Sequence, residues 1–269
     1  MPGVERVFDR HVTSVELERG GGGAARDEVA VEEPLEIRVD GAPVAVTMRT
    51  PGEDEALAAG FLAGEGLIAS PGDLVAAGPA EDLAANVVEV RTRAGLRRDP
   101  AGERRFHLTS SCGVCGKAAL ESVRIEAPAP PSREPVDPAL VRRAPEELRA
   151  RQRSFDRTGG LHATALFDPG GELLAVHEDV GRHNAMDKAV GELLLAGRYP
   201  LPGVLACVSG RASFELVQKA ALAGLAGIVA VGAPSSLAVS LARDRGMVLC
   251  GFAREGSFNV YSGADLLIA

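Results

Sequence analysis

"GVLACVSGRASFELVQKAALAGLAGIVAVGAPSSLAVSLARDRGMVLCGFA", residues 203 to 253, alternates short apolar runs with longer amphipathic ones. "GVLACVSG", "GIVAVGA" and "MVLCGFA" have the length of strands and almost no polar residue. "SFELVQKAALAGL" and "SSLAVSLARDRG", between them, space their apolar residues as helices do. A strand buried on both faces reads as a continuous apolar run. Strand–helix alternation of this kind predicts a largely parallel sheet with helices covering both faces.

Upstream, "HATALFD" and "GELLAVHEDV" predict a hairpin around Pro169-Gly170-Gly171, followed by a helix in "GRHNAMDKAVGELLLAG". "PALVRRAPEELRARQRSF" reads as helical, with Pro145 expected to break or restart it, because proline lacks the N–H that a helix interior needs. The Pro-rich run 127–138, "APAPPSREPVDP", marks a linker or long connection. Further back, "LEIRVDGAPVAVTMRT" alternates apolar and polar residues on either side of Asp40-Gly41, a strong hairpin signal. "TPGEDEALAAGFLAGEGLI" predicts a helix with Thr50 as N-cap and Pro51 at its first position, burying Leu57, Phe61, Leu62 and Leu67. "NVVEVRTR" and "ERRFHLTS" read as strands, and "GGGGAA" at 20–25 as a hinge behind an N-terminal tail. The expected architecture is α/β. A smaller N-terminal α+β domain, residues 1–126, ends in a cysteine loop and its helix; a covered mixed or parallel sheet occupies residues 127–269.

The formal net charge of −8 argues against a nucleic-acid partner, which needs many Lys and Arg contacts to phosphate. No apolar run approaches membrane-spanning length, and "MPGVERVFDR" lacks the apolar core of a signal peptide, so a cytoplasmic location is expected. Only three of the 29 basic residues are lysines, Lys117, Lys188 and Lys219, and each lies in or beside a segment singled out here.

Of four cysteines, Cys207 and Cys250 sit in apolar surroundings and read as core thiols. Cys112 and Cys115 stand in "SSCGVCGK", residues 110–117. A structural zinc site needs four ligands, and only this one pair exists, so no metal site is expected. A thioredoxin-type dithiol and a sulfur carrier both remain open. The glycines beside each cysteine, the helix start expected at "CGKAALESV" and the charge of Lys117 all favour a reactive thiolate.

"SSCGVCGK", "TGGLHATALFD", "HEDVGRHNAMDKAVG", "SGRASFELVQKAA", "APSSLAVSLA" and "GFAREGSFNVYSG", in that order, closely resemble the FdhD family of formate dehydrogenase accessory sulfurtransferases. The resemblance runs from about Val29 to the C-terminus. It implies a cytoplasmic homodimer with a cytidine-deaminase-like larger domain. It also implies that a cysteine desulfurase loads sulfur onto a loop cysteine as a persulfide. That sulfur then passes to the molybdenum cofactor in its bis(molybdopterin guanine dinucleotide) form, for use by formate dehydrogenase. A cofactor carrier without sulfur chemistry is the alternative. True deaminases need His-x-Glu and a later Cys-x-x-Cys for zinc; here His177 and Glu178 are adjacent and the only pair lies upstream.

Residue by residue, Cys112 matches the persulfide carrier, with Cys115 as relay or resolving thiol. Phe252, Ala253, Arg254, Glu255, Gly256 and Ser257 match the cofactor-binding segment, although Ser257 stands where a basic residue is common. Phe252 is suited to stacking on guanine or pterin, and Arg254 to pairing with pyrophosphate. A guanine nucleotide such as GDP is expected to mimic the cofactor. Ser209, Gly210 and Arg211 follow a strand and precede a helix, where open α/β sheets bind ligands. "EDVGRHN" offers Asp179, Arg182, His183 and Asn184 to a guanine edge or a phosphate, and His162 follows a glycine pair that permits close approach.

Overall fold

A computed structural model describes residues 10–18, 24–80, 86–97 and 135–268. The cysteine pair, the strand expected at "ERRFHLTS", most of the Pro-rich run and the expected domain boundary at 126/127 lie outside the described residues.

The chain begins with β1 (Val12–Glu18) and β2 (Ala24–Ala30), antiparallel, with Glu18 opposite Ala24. Of the hinge expected over 20–25, residues 20–23 lie outside the described residues, and the rest is corrected. Ala24 and Ala25 belong to a strand, and the residues before the glycines pair with those after them.

A four-stranded sheet follows, built from β3 (Glu33–Val39), β4 (Ala42–Arg49), β5 (Leu74–Pro79) and β6 (Val87–Thr92) in the order β4-β3-β6-β5. The expected hairpin joins β3 to β4 through Asp40 and Gly41, both left-handed at φ 49° and 81°, as a two-residue hairpin turn requires. Leu35, Ile37 and Val39 alternate into the core.

The first helix, α1, runs from Asp54 to Gly64, starting three residues later than expected. Thr50 does not cap it, because its polar groups are committed elsewhere. Its N–H donates to Asp179 Oδ2 (3.1 Å), its hydroxyl accepts from the Val180 N–H (3.2 Å), and its carbonyl accepts from Lys188 Nζ (2.8 Å). Leu57, Phe61, Leu62 and Leu67 are buried as anticipated.

The second half opens with α2 (Pro138–Arg149), N-capped by Asp137, and α3 (Arg153–Thr158). Contrary to expectation, α2 passes straight through Pro145. Leu140, Val141, Ala144, Pro145 and Leu148 form its buried face, and that burial outweighs the one hydrogen bond proline cannot donate. Next come β7 (His162–Phe167), β8 (Leu173–Asp179), α4 (Arg182–Leu195), β9 (Leu205–Val208), α5 (Phe214–Ala223), β10 (Gly227–Ala230), α6 (Ser236–Asp244), β11 (Val248–Arg254) and β12 (Ser257–Ser262). The sheet order is β12-β11-β10-β9-β7-β8.

This sheet is mixed rather than largely parallel: only β9, β10 and β11 run parallel, and β7, β8 and β12 are antiparallel to their neighbours. Both faces are covered. Cys207, Val229, Val248 and Cys250 pack under α2, while Ala206, Val208, Ile228, Ala230 and Leu249 pack under α4, α5 and α6. Strand alternation thus sends neighbouring apolar residues into two separate cores. The two halves meet where α1 lies against α4; nine of the eleven residues of α1 are buried. Among the described residues, no helix is long and apolar enough to cross a membrane.

Candidate functional site

The three parallel strands end together, and their loops are laced by backbone hydrogen bonds. The Gly232 N–H donates to the Gly210 carbonyl (2.9 Å), and the Phe252 N–H donates to the Gly232 carbonyl (3.1 Å). The Ser235 N–H donates to the Ala212 carbonyl (3.0 Å). The crossing points leave little room beyond glycine. A Cβ on Gly232 would lie 3.0 Å from the Gly210 oxygen, and one on Gly251 would lie 2.8 Å from Pro234 Cδ. The result is a face made largely of backbone at the carboxyl ends of β9, β10 and β11, where open α/β sheets bind ligands.

Phe252 stands on this face in an unusual conformation. Its φ is +52°, a left-handed value that costs a non-glycine residue about 1–2 kcal/mol. The residue is 45% exposed, and Val231 at the neighbouring strand end is exposed to a similar degree. Strain and exposure of a large aromatic ring at one residue are both unfavourable for folding, and their coincidence marks functional ground. Arg254, Glu255, Gly256 and Ser257 are exposed at the β11–β12 turn, and Arg211 is exposed in the loop after β9. Ala253 is 1% exposed and packs in the core beneath α2, so of this segment it presents only backbone to the surface.

Behind the face, Arg182 and His183 open α4. His183 is buried, with Nε2 3.0 Å from Glu215 Oε2 and 3.4 Å from Ser213 Oγ. The Arg182 Nε is buried without a hydrogen-bond partner among the described residues. His162, at the start of β7, packs against the Gly210 backbone, its Nδ1 3.2 Å from where a Cβ would stand. Burial, reinforced by the charges of Arg182 and His183 and opposed by Asp179, pushes the His162 imidazole below its ordinary pKa. A neutral ring both donates and accepts.

Two residues offered to a ligand by the sequence are turned inward. Asp179 is fully buried and pairs with Lys188 Nζ at 3.0 Å. Its carboxylate also accepts from the Thr50 and Gly181 N–H groups and from Asn184 Nδ2. Asn184 Nδ2 donates in addition to the Met48 carbonyl (2.7 Å). These side chains tie the end of β4 to the start of α4. His177 and Glu178 are likewise engaged, His177 with Glu192 (2.6 Å) and Glu178 with the N–H groups of Ser154 and Phe155 that start α3. No group of three or more His, Cys, Asp or Glu among the described residues is arranged to hold a metal.

A cluster the sequence reading missed lies one layer deeper. Lys219 Nζ bonds both oxygens of Asp187 (2.9 and 3.0 Å), with Glu65 Oε1 at 3.6 Å. Burial pushes the Asp187 carboxyl up to about 6, against the pull of Lys219 and with the push of Glu65. Burial also works against the Lys219 charge, but Asp187 and Glu65 outweigh it and its pKa rises. The only advance signals were the rarity of lysine and the i,i+4 spacing of Glu215 and Lys219. Cys207 and Cys250 are core thiols, and burial raises both, Cys250 to about 12.

The class is therefore an α/β protein whose parallel strands end in a laced, glycine-lined face carrying a strained aromatic residue. The FdhD/NarQ family model matches residues 30–268, and the chain belongs to that family. A protein of Streptomyces coelicolor named sulfur carrier protein FdhD is 52% identical over 270 residues, covering 97% of this chain and 95% of that one. The protein of the same name from Mycolicibacterium paratuberculosis is 52% identical over 255 residues, covering 91% and 94%. A crystal structure from Desulfotalea psychrophila, of a chain assigned as a formate dehydrogenase accessory protein, superposes with a TM-score of 0.75. It covers 96% of this chain and 98% of that one at 23% identity, a likeness of fold.

Proposed function

We propose that this protein is a sulfur carrier serving formate dehydrogenase. The observation that carries the reading is the 52% identity over 97% of the chain to a protein named sulfur carrier protein FdhD. In this reading the Cys112 thiolate attacks the terminal sulfur of a cysteine desulfurase persulfide. The donor's S–S bond breaks, its cysteine leaves as thiolate, and Cys112 holds the sulfur as a persulfide. Cys115 serves as relay or resolving thiol. The substrate that receives the sulfur is the bis(molybdopterin guanine dinucleotide) form of the molybdenum cofactor.

The face at the ends of β9, β10 and β11 supports this assignment physically. Phe252 offers a ring for the guanine or the pterin, Arg211 and Arg254 offer fork-shaped donors to pyrophosphate, and the glycine lacing lets a ligand approach backbone. The mixed sheet between α2 and α4–α6 supports a cytidine-deaminase-like scaffold for the larger domain. A cytoplasmic homodimer completes the proposal.

The test is peptide-mapped mass spectrometry after incubation with a cysteine desulfurase and cysteine, with thiols trapped. One added sulfur on the Cys112 peptide, absent in Cys112→Ala, is expected. If no loop cysteine gains sulfur while GDP still binds, the protein is a cofactor carrier without sulfur chemistry.

A further inference from the structure

Glu215 has no part in the reading above, yet it is placed with care. It lies in the first turn of α5, which Ser213 caps by accepting from the Leu216 N–H. There a carboxylate is favoured by the helix dipole. The residue is 9% exposed, and its Oε1 is buried with no hydrogen-bond partner among the described residues. Lys219, one turn along the same helix, is the obvious ionic partner, but its ammonium bonds Asp187 on α4 instead. Oε2 faces Nε2 of His183 across 3.0 Å.

A carboxylate only accepts, so the proton between Glu215 and His183 belongs to Nε2. Ser213 Oγ is more distant at 3.4 Å and already accepts as the helix cap, so it competes weakly. The contact also joins two separate segments of the face, since His183 follows Arg182 at the start of α4 and Glu215 follows the Gly210-Arg211 loop. We propose that Glu215 is a positioning residue. It fixes the ring orientation and the Nε2–H tautomer of His183, and through them sets the affinity of the face for a nucleoside diphosphate. The affinity half of this proposal rests on the nucleotide-binding reading above; the tautomer half does not.

The experiment uses the full-length protein with 15N-labelled histidine, with GDP as probe. Nitrogen–proton correlation spectra without nucleotide should show His183 as the Nε2–H tautomer in the wild type and in Glu215→Gln, whose amide oxygen still accepts. Glu215→Leu should lose that signature. Calorimetry should then show Glu215→Gln within about threefold of wild-type affinity and Glu215→Leu weaker by about tenfold or more. Phe252→Ala should weaken GDP while leaving the His183 signal unchanged. An Nδ1–H tautomer in the wild type overturns the proposal even if Glu215→Leu fails to fold, and so does a Glu215→Leu protein that keeps both tautomer and affinity. If the wild type binds no GDP, the nucleotide reading of the face falls, and the tautomer comparison alone decides the role of Glu215.

Discussion

Gly60 of α1 and Gly191 of α4 meet backbone to backbone. A Cβ on Gly60 would fall inside the carbonyl of Asp187, and one on Gly191 inside the carbonyl of Ala56. The two halves of the protein are therefore joined at a helix crossing that no larger residue permits. Gly60→Ala and Gly191→Ala should each destabilise by about 3 kcal/mol or more, because backbone must move to make room. Gly78, where an added Cβ would meet nothing within 4 Å and φ is not positive, is the control, and Gly78→Ala should change stability by less than about 0.5 kcal/mol. Denaturant titration measures all three.

Phe252 should show a trade of stability against binding. Glycine adopts a φ of +52° without strain, whereas alanine keeps the strain and loses the ring. Phe252→Gly should therefore be more stable than Phe252→Ala by about 1 kcal/mol. Both should bind GDP at least about tenfold more weakly than wild type, which calorimetry reads. Equal stability of the two variants would show that the left-handed conformation is not held in solution.

The Asp187 carboxyl makes stability depend on pH in an unusual direction. Its folded pKa is raised, to about 6 from 3.8, chiefly by burial. The native state thus binds the proton more tightly than the unfolded chain. The stabilisation from holding it is complete below pH 3.8 and is lost as pH rises through about 6. Across that window the wild type should lose on the order of 2–3 kcal/mol relative to Asp187→Asn, which has no proton to lose there. Urea titrations of both proteins at several pH values between 4 and 7 measure the difference. Parallel curves would show that the Asp187 carboxyl does not hold its proton through this window in the folded protein.

Cys207 and Cys250 should resist thiol reagents in the native protein. They lie under α2 on alternate strands, fully buried, with raised thiol pKa values. Alkylation followed by peptide mapping should label neither until the chain is denatured. Persulfide loading should survive Cys207→Ala and Cys250→Ala, each of which costs about 1 kcal/mol for the lost sulfur contacts.

Local chemistry was enough for much of the fold. Asp40-Gly41 marks its own hairpin because few residue pairs accept two left-handed conformations. Residues 203–253 declare their strands and helices through continuous and helical apolar spacing, and the ordered motifs place the chain in its family. The β12 strand "SFNVYS" also alternates, but at the sheet edge it buries little and reads weakly in sequence. Tertiary contacts decided the rest. Thr50 is a good N-cap by type, yet Asp179, Val180 and Lys188 claim its polar groups from across the molecule. Asp179 and Asn184 look like ligand-binding residues in a motif and prove to be buried ties between β4 and α4, because a buried carboxylate is tolerable only where donors surround it. Pro145 stays helical because its neighbours' burial outweighs a missing bond. Glu215 meets His183, and Gly60 meets Gly191, through pairings more than thirty and a hundred residues apart along the chain. Residue type and spacing determine what a segment prefers locally. Which polar group finds which partner is a property of the packed chain, and it is there that the candidate site was assembled.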